Sequence, residues 1–385
     1  MEHKVYIVIL NYNNWPDTIE CLESVLRNDY PNYQVIIIDN NSSDNSLEYL
    51  KAWAEGKIDI CVNPKNPLRN FSFPPVPKPI PYVCYIRDEA EKGGNPDLEK
   101  RLENKVIQGK TIRYPIVFIQ NGDNLGFAGG NNVGIRYALM KGDFRYIWIL
   151  NNDTVIDRNA LSEMVKTFET NSIKIGIVGS KLLRYYNPIK LQALCGTKKI
   201  TWRTGNYGEY ICKDCDDVDT IRESFEIKGY IIGASMLIKM ELIKDIGIFD
   251  EAYFMWAEEA DFCLRALKNG WKLYCCPNSI VYHKEGGASE RGNNKKFLWL
   301  VKKRPSLQRF IITGYLNARN GIYFTRKHFG YWGLIGFLLT KFLKMQIKVI
   351  LGILLFDSNK LYRIRKLIKG IIDGLIGRMG KPDEL

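Results

Sequence analysis

Asp153 follows the apolar run Tyr146-Ile147-Trp148-Ile149-Leu150 and the pair Asn151-Asn152, so a carboxylate and two amides sit where a strand ends. One carboxylate there can bind a hard divalent cation through oxygen. A turn or helix cap is the plainer use of the same residues, because Asn and Asp are favoured just before helices. Glu258, Glu259 and Asp261 crowd three carboxylates into four positions. The positive end of a helix dipole and an i,i+4 pair between Asp261 and Arg265 account for two of them. Phe254 and Trp256 add apolar surface beside the third, which can hold a carboxyl's pKa high enough for a general base. His283, one of three histidines, ends Ile280-Val281-Tyr282 and is either a metal ligand or a structural imidazole.

Asn124-Leu125-Gly126-Phe127-Ala128-Gly129-Gly130-Asn131-Asn132 has glycines that allow close approach and leads into a helix, whose N-terminus attracts phosphate. It is neither a dinucleotide fingerprint nor a P-loop, so a glycine-rich packing turn is the competing use. The elements that must carry these groups follow from periodicity. Val5–Leu10 is an apolar run ending in polar Asn11-Tyr12-Asn13, and Ile19, Leu22, Val25 and Leu26 recur at helical spacing. Val35–Ile38 ends at Asp39, followed by a helix start. A short strand is expected at Ile58–Val62, and further strands at Ile116–Gln120, Tyr146–Leu150, Ile175–Val178, Trp271–Cys276 and Ser279–His283. Strands alternating with helices imply an α/β fold with a mostly parallel sheet covered on both faces, which binds ligands beyond the carboxyl ends of its strands. Asn11 and Asp39 lie at such ends.

Seven of the 15 prolines fall between Pro64 and Pro81, followed by a charged stretch to Lys110, so residues 64–115 read as an insertion whose first half does not sustain ladders or helices. It either covers the cleft or decorates the periphery. The net charge of +13 is uneven: residues 291–385 hold 20 Lys+Arg against 4 Asp+Glu. That places the basic character in a tail with two amphipathic patterns, one with Leu334, Phe337, Leu338 and Phe342 beside Lys341, Lys344 and Lys348, the other around Leu361–Met379. Such helices suit an anionic membrane surface better than nucleic acid, with packing on the rest of the chain or a homodimer as the alternatives. The longest uncharged stretch of the tail, 13 residues from His328 to Thr340, is short of the roughly 20 needed to span a bilayer. The N-terminus lacks a signal-peptide pattern, so a cytoplasmic protein, peripheral on the inner face of the membrane, is expected. Nine cysteines are then expected as free thiols, and Cys212-Lys-Asp-Cys215 lacks the second pair of a structural zinc site.

The order Val8-Ile-Leu-Asn-Tyr-Asn13, Val35-Ile-Ile-Ile-Asp-Asn-Asn-Ser-Ser-Asp44, Asn124 to Asn132, Leu150-Asn-Asn-Asp-Thr154, Gly247-Ile-Phe-Asp250, Glu258-Glu-Ala-Asp261 and His283 resembles the family 2 glycosyltransferases, specifically the rhamnosyltransferase-like group of surface-polysaccharide synthesis. The resemblance covers about residues 4–290 and implies a GT-A-type, Rossmann-like catalytic domain, set at 1–290; the amphipathic patterns set a basic helical C-terminal region at 291–385. It implies an inverting, metal-dependent, non-processive transfer of a sugar from a nucleoside-diphosphate donor, such as dTDP-rhamnose or a UDP-sugar, to a lipid-linked or glycan acceptor. Asn11, Tyr12, Asn13, Asp39, Asn124, Gly126, Gly130, Asn132 and Asn152 would line the nucleotide pocket, with Asp39 reading the base. Asp153 stands as the last residue of the family's DXD motif, whose first Asp is Asn151 here, so His283 is the expected second holder of Mg²⁺ or Mn²⁺. Glu259 falls where the family places its base, with Glu258 and Asp261 beside it. A sugar-nucleotide nucleotidyltransferase and a catalytically silent sugar-nucleotide-binding scaffold are the competing functions. The first should carry a glycine-rich loop with Arg and Lys near the first strand, which Asn11-Tyr-Asn-Asn14 does not.

Overall fold

β-Branched and aromatic runs form the strands of one large sheet in the computed structural model, which describes residues 2–60, 62–170, 174–206, 208–216, 221–285, 311–356 and 359–383. In chain order the catalytic region holds β1 (Val5–Asn11), α1 (Trp15–Val25), β2 (Tyr33–Asp39), α2 (Ser46–Ala54), α3 (Arg69–Ser72), β3 (Tyr82–Ile86), α4 (Arg87–Ala90), α5 (Pro96–Leu102), β4 (Lys105–Ile107) and β5 (Lys110–Ile112). Then come β6 (Ile116–Gln120), α6 (Gly126–Lys141), β7 (Tyr146–Asn151), β8 (Thr154–Ile156), α7 (Ala160–Glu169), β9 (Ile175–Arg184), β10 (Asn187–Leu194), β11 (Phe225–Ile227), β12 (Ser235–Lys239), α8 (Met240–Ile246), α9 (Glu258–Lys268) and β13 (Lys272–His283). The sheet order is β11-β13-β9-β12-β7-β1-β2-β6-β3. Neighbours from β7 to β3 are parallel, β12 is antiparallel to both β7 and β9, and β13 is parallel to β9.

Successive side chains of a strand point to opposite faces, and both faces are covered. Tyr6, Val8, Ile36 and Ile38 meet α6, α8 and α9 on one side. Val5, Ile7, Ile9 and Ile37 meet α1, α2 and α7 on the other. The mostly parallel α/β sheet expected from the sequence is therefore present.

Three expectations need correction. Ile58–Val62 is not a strand: Ile58 and Ile60 pack on the α1/α2 face as loop side chains, and the edge position beside β6 is taken by β3, from within the insertion. The two strands expected between Trp271 and His283 are one, β13 (Lys272–His283), with an irregularity between Cys276 and Ile280. Cys195 and Cys275 form a disulfide across 80 residues, whereas Cys21, Cys84, Cys212, Cys215, Cys263 and Cys276 are free thiols. The pairing joins β13 to the chain just past β10, a juxtaposition that only the completed sheet creates. The proline segment straps the α1/α2 face: Val76 and Ile80 are buried, and the fully buried Glu23 accepts from Val76 N (2.7 Å), Lys78 Nζ (3.0 Å) and Trp53 Nε1 (2.9 Å).

The first tail helix, Asn317–Phe337, bends at Gly330. Before the bend it lies on the catalytic region, with Phe324 in the main core and Tyr315 and Leu316 against Phe254. Helices Leu343–Phe356 and Lys360–Ile376 complete the tail around Ala318, Ile322, Phe337 and Leu367. The expected boundary at 290/291 lies outside the described residues.

Candidate active site

Parallel register brings the carboxyl ends of four strands into one row, with Asn11 beside Asp39, Asp39 beside Gln120, and Leu10 beside Asn151. Asp39 is fully buried and accepts from Asn11 Nδ2 (2.9 Å), Ser42 Oγ (2.6 Å), Ser42 N (3.1 Å) and Gln120 Nε2 (3.0 Å). These four donors fill the lone pairs of a carboxylate, so a base read by Asp39 must displace one of them. Thr18 Oγ1 donates to Asn11 Oδ1 (2.8 Å) and accepts from Asn152 Nδ2 (2.9 Å), which ties the β7 end to the β1 end. Asn13 adopts a left-handed φ of 51°, and its Oδ1 accepts from Ser43 N (2.7 Å). Tyr12 beside it stays about half exposed. Thr18, Ser42 and Gln120 were not singled out from the sequence, because a lone Ser, Thr or Gln carries no positional signal.

Asp153 and His283 meet: His283 Nε2 lies 3.1 Å from Asp153 Oδ1, and both side chains are buried. Asn151 Nδ2 is 3.4 Å from the same ring nitrogen. His283 Nδ1 is 2.8 Å from Gln192 Oε1, an acceptor, so Nδ1 carries a proton and Nε2 is the nitrogen aimed at Asp153. Burial works against charge on this imidazole, but the Asp153 carboxylate outweighs it and raises the pKa. A histidine whose second nitrogen donates to a fixed acceptor, set against a carboxylate, is a fitting pair of donors for Mg²⁺ or Mn²⁺. Among the described residues no cluster of three or more His, Cys, Asp or Glu forms a closed metal cage, so an ion held by Asp153 and His283 would need water or ligand oxygens to complete its shell. Beyond His283, buried Lys284 donates to Asp17 Oδ1 (2.7 Å) and Glu20 Oε2 (2.5 Å) of α1, fixing the end of β13.

The carboxylates at the start of α9 separate into two roles. Asp261 is fully buried and satisfied: it meets Arg265 Nε (2.8 Å), Tyr253 Oη (3.1 Å), His328 Nε2 (2.7 Å) and Lys327 Nζ (2.6 Å). Burial opposes its ionisation, yet His328, Lys327 and Arg265 together hold it far below the usual carboxylate range. Glu258 and Glu259 face one another without such cations. Burial, and then Glu259, push the pKa of Glu258 well up; burial also raises Glu259, while a hydrogen bond from Glu258 offsets part of that rise. Of the two, Glu258 is held in the protonated form the more strongly, and each keeps one buried carboxyl oxygen without a partner.

The glycine loop joins these parts. Phe254 O accepts from Phe127 N (2.7 Å), and a Cβ on Gly126, at φ 71°, would stand 2.2 Å from that oxygen. Asn124 Oδ1 accepts from Gly126 N (3.0 Å) and Asn40 Nδ2 (2.8 Å). Gly130 instead makes room for Leu10 of β1, and Asn132 is spent on Phe249 and Glu251, so both hold the helix to the sheet and to the loop before α9. Glu259 Cβ lies 3.8 Å from the Cβ position of Gly233, and the next residue, Ala234, accepts from Asn151 N (3.0 Å). The Glu258–Glu259 pair and the Asp153–His283 pair are thus linked across Gly233-Ala234. A cavity of about 240 Å³ lined by Tyr30, Tyr33, Ile112 and Tyr114 lies at the opposite end of the strands, away from these groups.

The description Glycosyl transferase family 2 matches residues 6–69, and Glycosyltransferase like family 2 matches residues 104–301, about half the chain. The low-salt glycan biosynthesis hexosyltransferase Agl10 of Haloferax volcanii is 24% identical over 170 residues, 44% of this chain and 52% of that protein. The rhamnosyltransferase WbbL of Escherichia coli K12 is 25% identical over 190 residues, 47% of this chain and 69% of that protein. The match thus spans only about half the length of the first of these relatives. The mannosyltransferase PcManGT of Pyrobaculum calidifontis, solved with GDP-Man and Mn²⁺, aligns over 98% of this chain and 88% of its own at 14% identity and a TM-score of 0.47.

Proposed function

We propose that this chain, which belongs to glycosyltransferase family 2, moves a sugar from a nucleoside-diphosphate donor to an acceptor hydroxyl with inversion at the anomeric carbon. The observation that carries this reading is the linkage of a carboxylate–imidazole pair, Asp153–His283, to an uncompensated carboxylate pair, Glu258–Glu259, at the carboxyl end of one sheet. Asp153 and His283 would hold a Mg²⁺ or Mn²⁺, which when bound neutralises charge on the departing diphosphate. Asn11, Asn13 and Asp39 form the nucleoside end of the cleft, with Tyr12 exposed for stacking and Gln120 or Ser42 yielding a bond when a base arrives. Glu259 takes the proton from the acceptor hydroxyl, and Glu258, which keeps its own proton, holds Glu259 in place by donating to it. Asp261 and Asn132 belong to the scaffold that holds these groups. A single displacement needs no protein nucleophile.

The similarity to a rhamnosyltransferase and to a hexosyltransferase of glycan biosynthesis supports an activated rhamnose such as dTDP-rhamnose as the first donor to test and a lipid-linked or growing glycan as the acceptor class. After Gly330, the tail exposes Tyr331 (74%), Trp332 (87%), Leu339 (69%), Leu351 and Leu355 beside exposed Lys344 and Lys348. No helix of the described residues is long and apolar enough to cross a membrane. An aromatic and aliphatic face fringed by lysines supports shallow seating on an anionic bilayer, where a lipid-linked acceptor resides.

A screen of nucleotide sugars for metal-dependent release of nucleoside diphosphate, with and without lipid-linked acceptor, tests the reading. Asp153→Ala should abolish release, and His283→Ala should raise the metal concentration needed for half-activity. Near-normal turnover of Asp153→Ala in excess Mn²⁺ removes the metal assignment, and failure to release nucleoside diphosphate from every nucleotide sugar in the screen removes the enzymatic one.

A further inference from the structure

We infer that Asn320, oriented by Arg319, is a positioning residue that sets the Glu258–Glu259 pair from the first tail helix, although it touches neither carboxylate. The inference rests on the reading of Glu259 as base.

The backbone that delivers the pair is unusual. Phe254, Trp256 and Ala257 have φ of 63°, 69° and 79°, so three of the four residues before Glu258 lie in the left-handed region without being glycine. Such residues persist only when their surroundings hold them. Ala257 stands at the N-cap of α9 and has no side chain able to cap it, so the helix start carries no local device that fixes its direction.

Asn320 supplies the missing hold. Its Nδ2 donates to Met255 O (2.8 Å) and Trp256 O (2.8 Å) and, sharing one of its two hydrogens, reaches Tyr253 O (3.1 Å), three carbonyls of the four-residue stretch 253–256. The orientation of the amide is determined by its neighbour: Arg319 Nε, which only donates, lies 3.0 Å from Asn320 Oδ1, so the NH₂ group must face the carbonyls. Arg319 itself is buried, donating through Nη2 to Tyr253 O (3.1 Å) and through Nη1 to Gly380 O (2.8 Å). Gly380 N in turn donates to Ala252 O (2.8 Å). The other side of the loop is fixed by Phe254 O on the start of α6. The base loop is held between the glycine loop and the tail, and only the tail side uses a side chain that can be replaced without altering the cleft.

The test uses the full 385-residue chain, with hydrolysis of dTDP-rhamnose, or of whichever sugar nucleotide the screen identifies, as the readout. Asn320→Asp keeps the size but sets an acceptor against three carbonyls; Asn320→Ser shortens the arm and is the milder variant. For at least one of them, kcat should fall tenfold or more with the donor KM within twofold. The acid limb of its pH–rate profile should also move, because Glu259 shifts relative to Glu258 and the phenols of Tyr210 and Tyr230. A drop in melting temperature with kcat and the limb unchanged overturns the inference, and so does loss of donor binding in both variants, which would make Asn320 a residue of the fold alone. Glu259→Gln, run in parallel, separates the two levels. If it retains normal turnover the base reading itself fails; if it loses turnover while both Asn320 variants keep theirs, only the positioning inference fails.

Discussion

The shared proton of Glu258 and Glu259 predicts a pH signature that no single carboxylate would give. The active form has Glu259 ionised. Because burial raises its pKa, it ionises only above the ordinary glutamate value, so activity should fall as pH drops through that raised value. The hydrogen bond donated by Glu258 acts in the opposite direction and lowers the Glu259 pKa. Glu258→Gln retains a donor N–H, so the acid limb should remain near its wild-type position. Glu258→Ala keeps the burial and deletes the donor, so the limb should move to higher pH. A hydrogen bond to a charged group is worth about 1.5–3 kcal/mol, and one pH unit corresponds to about 1.36 kcal/mol. The predicted displacement is therefore about 1 unit, at the lower end because Glu259 is only half-buried by its residue surface. Glu259→Gln should bind donor and lose about 10²–10⁴ in kcat, a barrier increase of about 2.7–5.5 kcal/mol. The assay is nucleoside diphosphate release across pH 5 to 9 for all three variants. A Glu258→Ala limb superimposed on the wild type would refute the shared-proton argument, and Glu259→Gln at near-normal rate would move the base elsewhere.

Asp261→Asn should destabilise the protein by about 3 kcal/mol, the low end for breaking a buried ion pair, since Lys327 is partly exposed. With its pKa held below the usual range, the carboxylate contributes fully above the ordinary Asp value of 3.8 and loses its contribution as pH falls below it, so the wild-type and mutant melting temperatures should converge in acid; a constant gap would show that packing rather than charge is responsible. Replacing Tyr331 and Trp332 with Ser should weaken binding to anionic vesicles, and wild-type binding should decline with salt, because each lysine near the surface contributes about 1 kcal/mol that is screened beyond a Debye length. Unaltered sedimentation of the double variant with vesicles would sink the membrane reading.

The sheet was legible because its strands are continuous β-branched runs whose polar terminators, Asn11, Asp39 and Asn151, fall at the carboxyl ends by construction. Asp153 and Glu259 stand out as candidates for a similar reason: a carboxylate after an apolar run, or beside aromatic residues, differs from its surroundings. What failed was pairing across distance. Gln192 reads as one polar residue in a strand, and nothing in its neighbours says that it orients a histidine 91 positions away. Lys284 and Glu20 are ordinary surface types that become buried only when β13 reaches α1. Ile58–Val62 has strand composition, but the prolines that follow redirect the chain, and the sheet edge is filled by residues beyond them. Asp261 looked like a third candidate for catalysis because its four partners include Lys327 and His328, which lie in a segment that composition alone assigned to a membrane anchor.

That assignment split the tail from the chemistry, and the structure joins them on one helix. Before Gly330, Arg319 and Asn320 hold the carbonyls of residues 253, 255 and 256, Lys327 pairs with Asp261, and His328 Nε2 lies 2.7 Å from the same carboxylate. Immediately after it come Tyr331 and Trp332, the first members of the exposed apolar face. The same segment contacts the loop around Trp202: Gly333 and Gly336 leave space for that side chain, and a Cβ at Gly336 would lie 2.4 Å from its ring. Gly205 of that loop abuts Phe337 and Thr325 in the same way. Tyr210, just beyond, has its pKa pushed up first by burial and then by Glu259, which places the loop within electrostatic reach of the base. On the proposed seating, a membrane that fixed the segment after Gly330 would also restrain the loop around Trp202 and Gly205 and, through Asn320, the carbonyls of residues 253, 255 and 256. On the proposed reading, an acceptor carried on a lipid would approach Glu259, at the start of α9, beside the one helix that carries both the first exposed aromatic residues and the hold on the loop before α9.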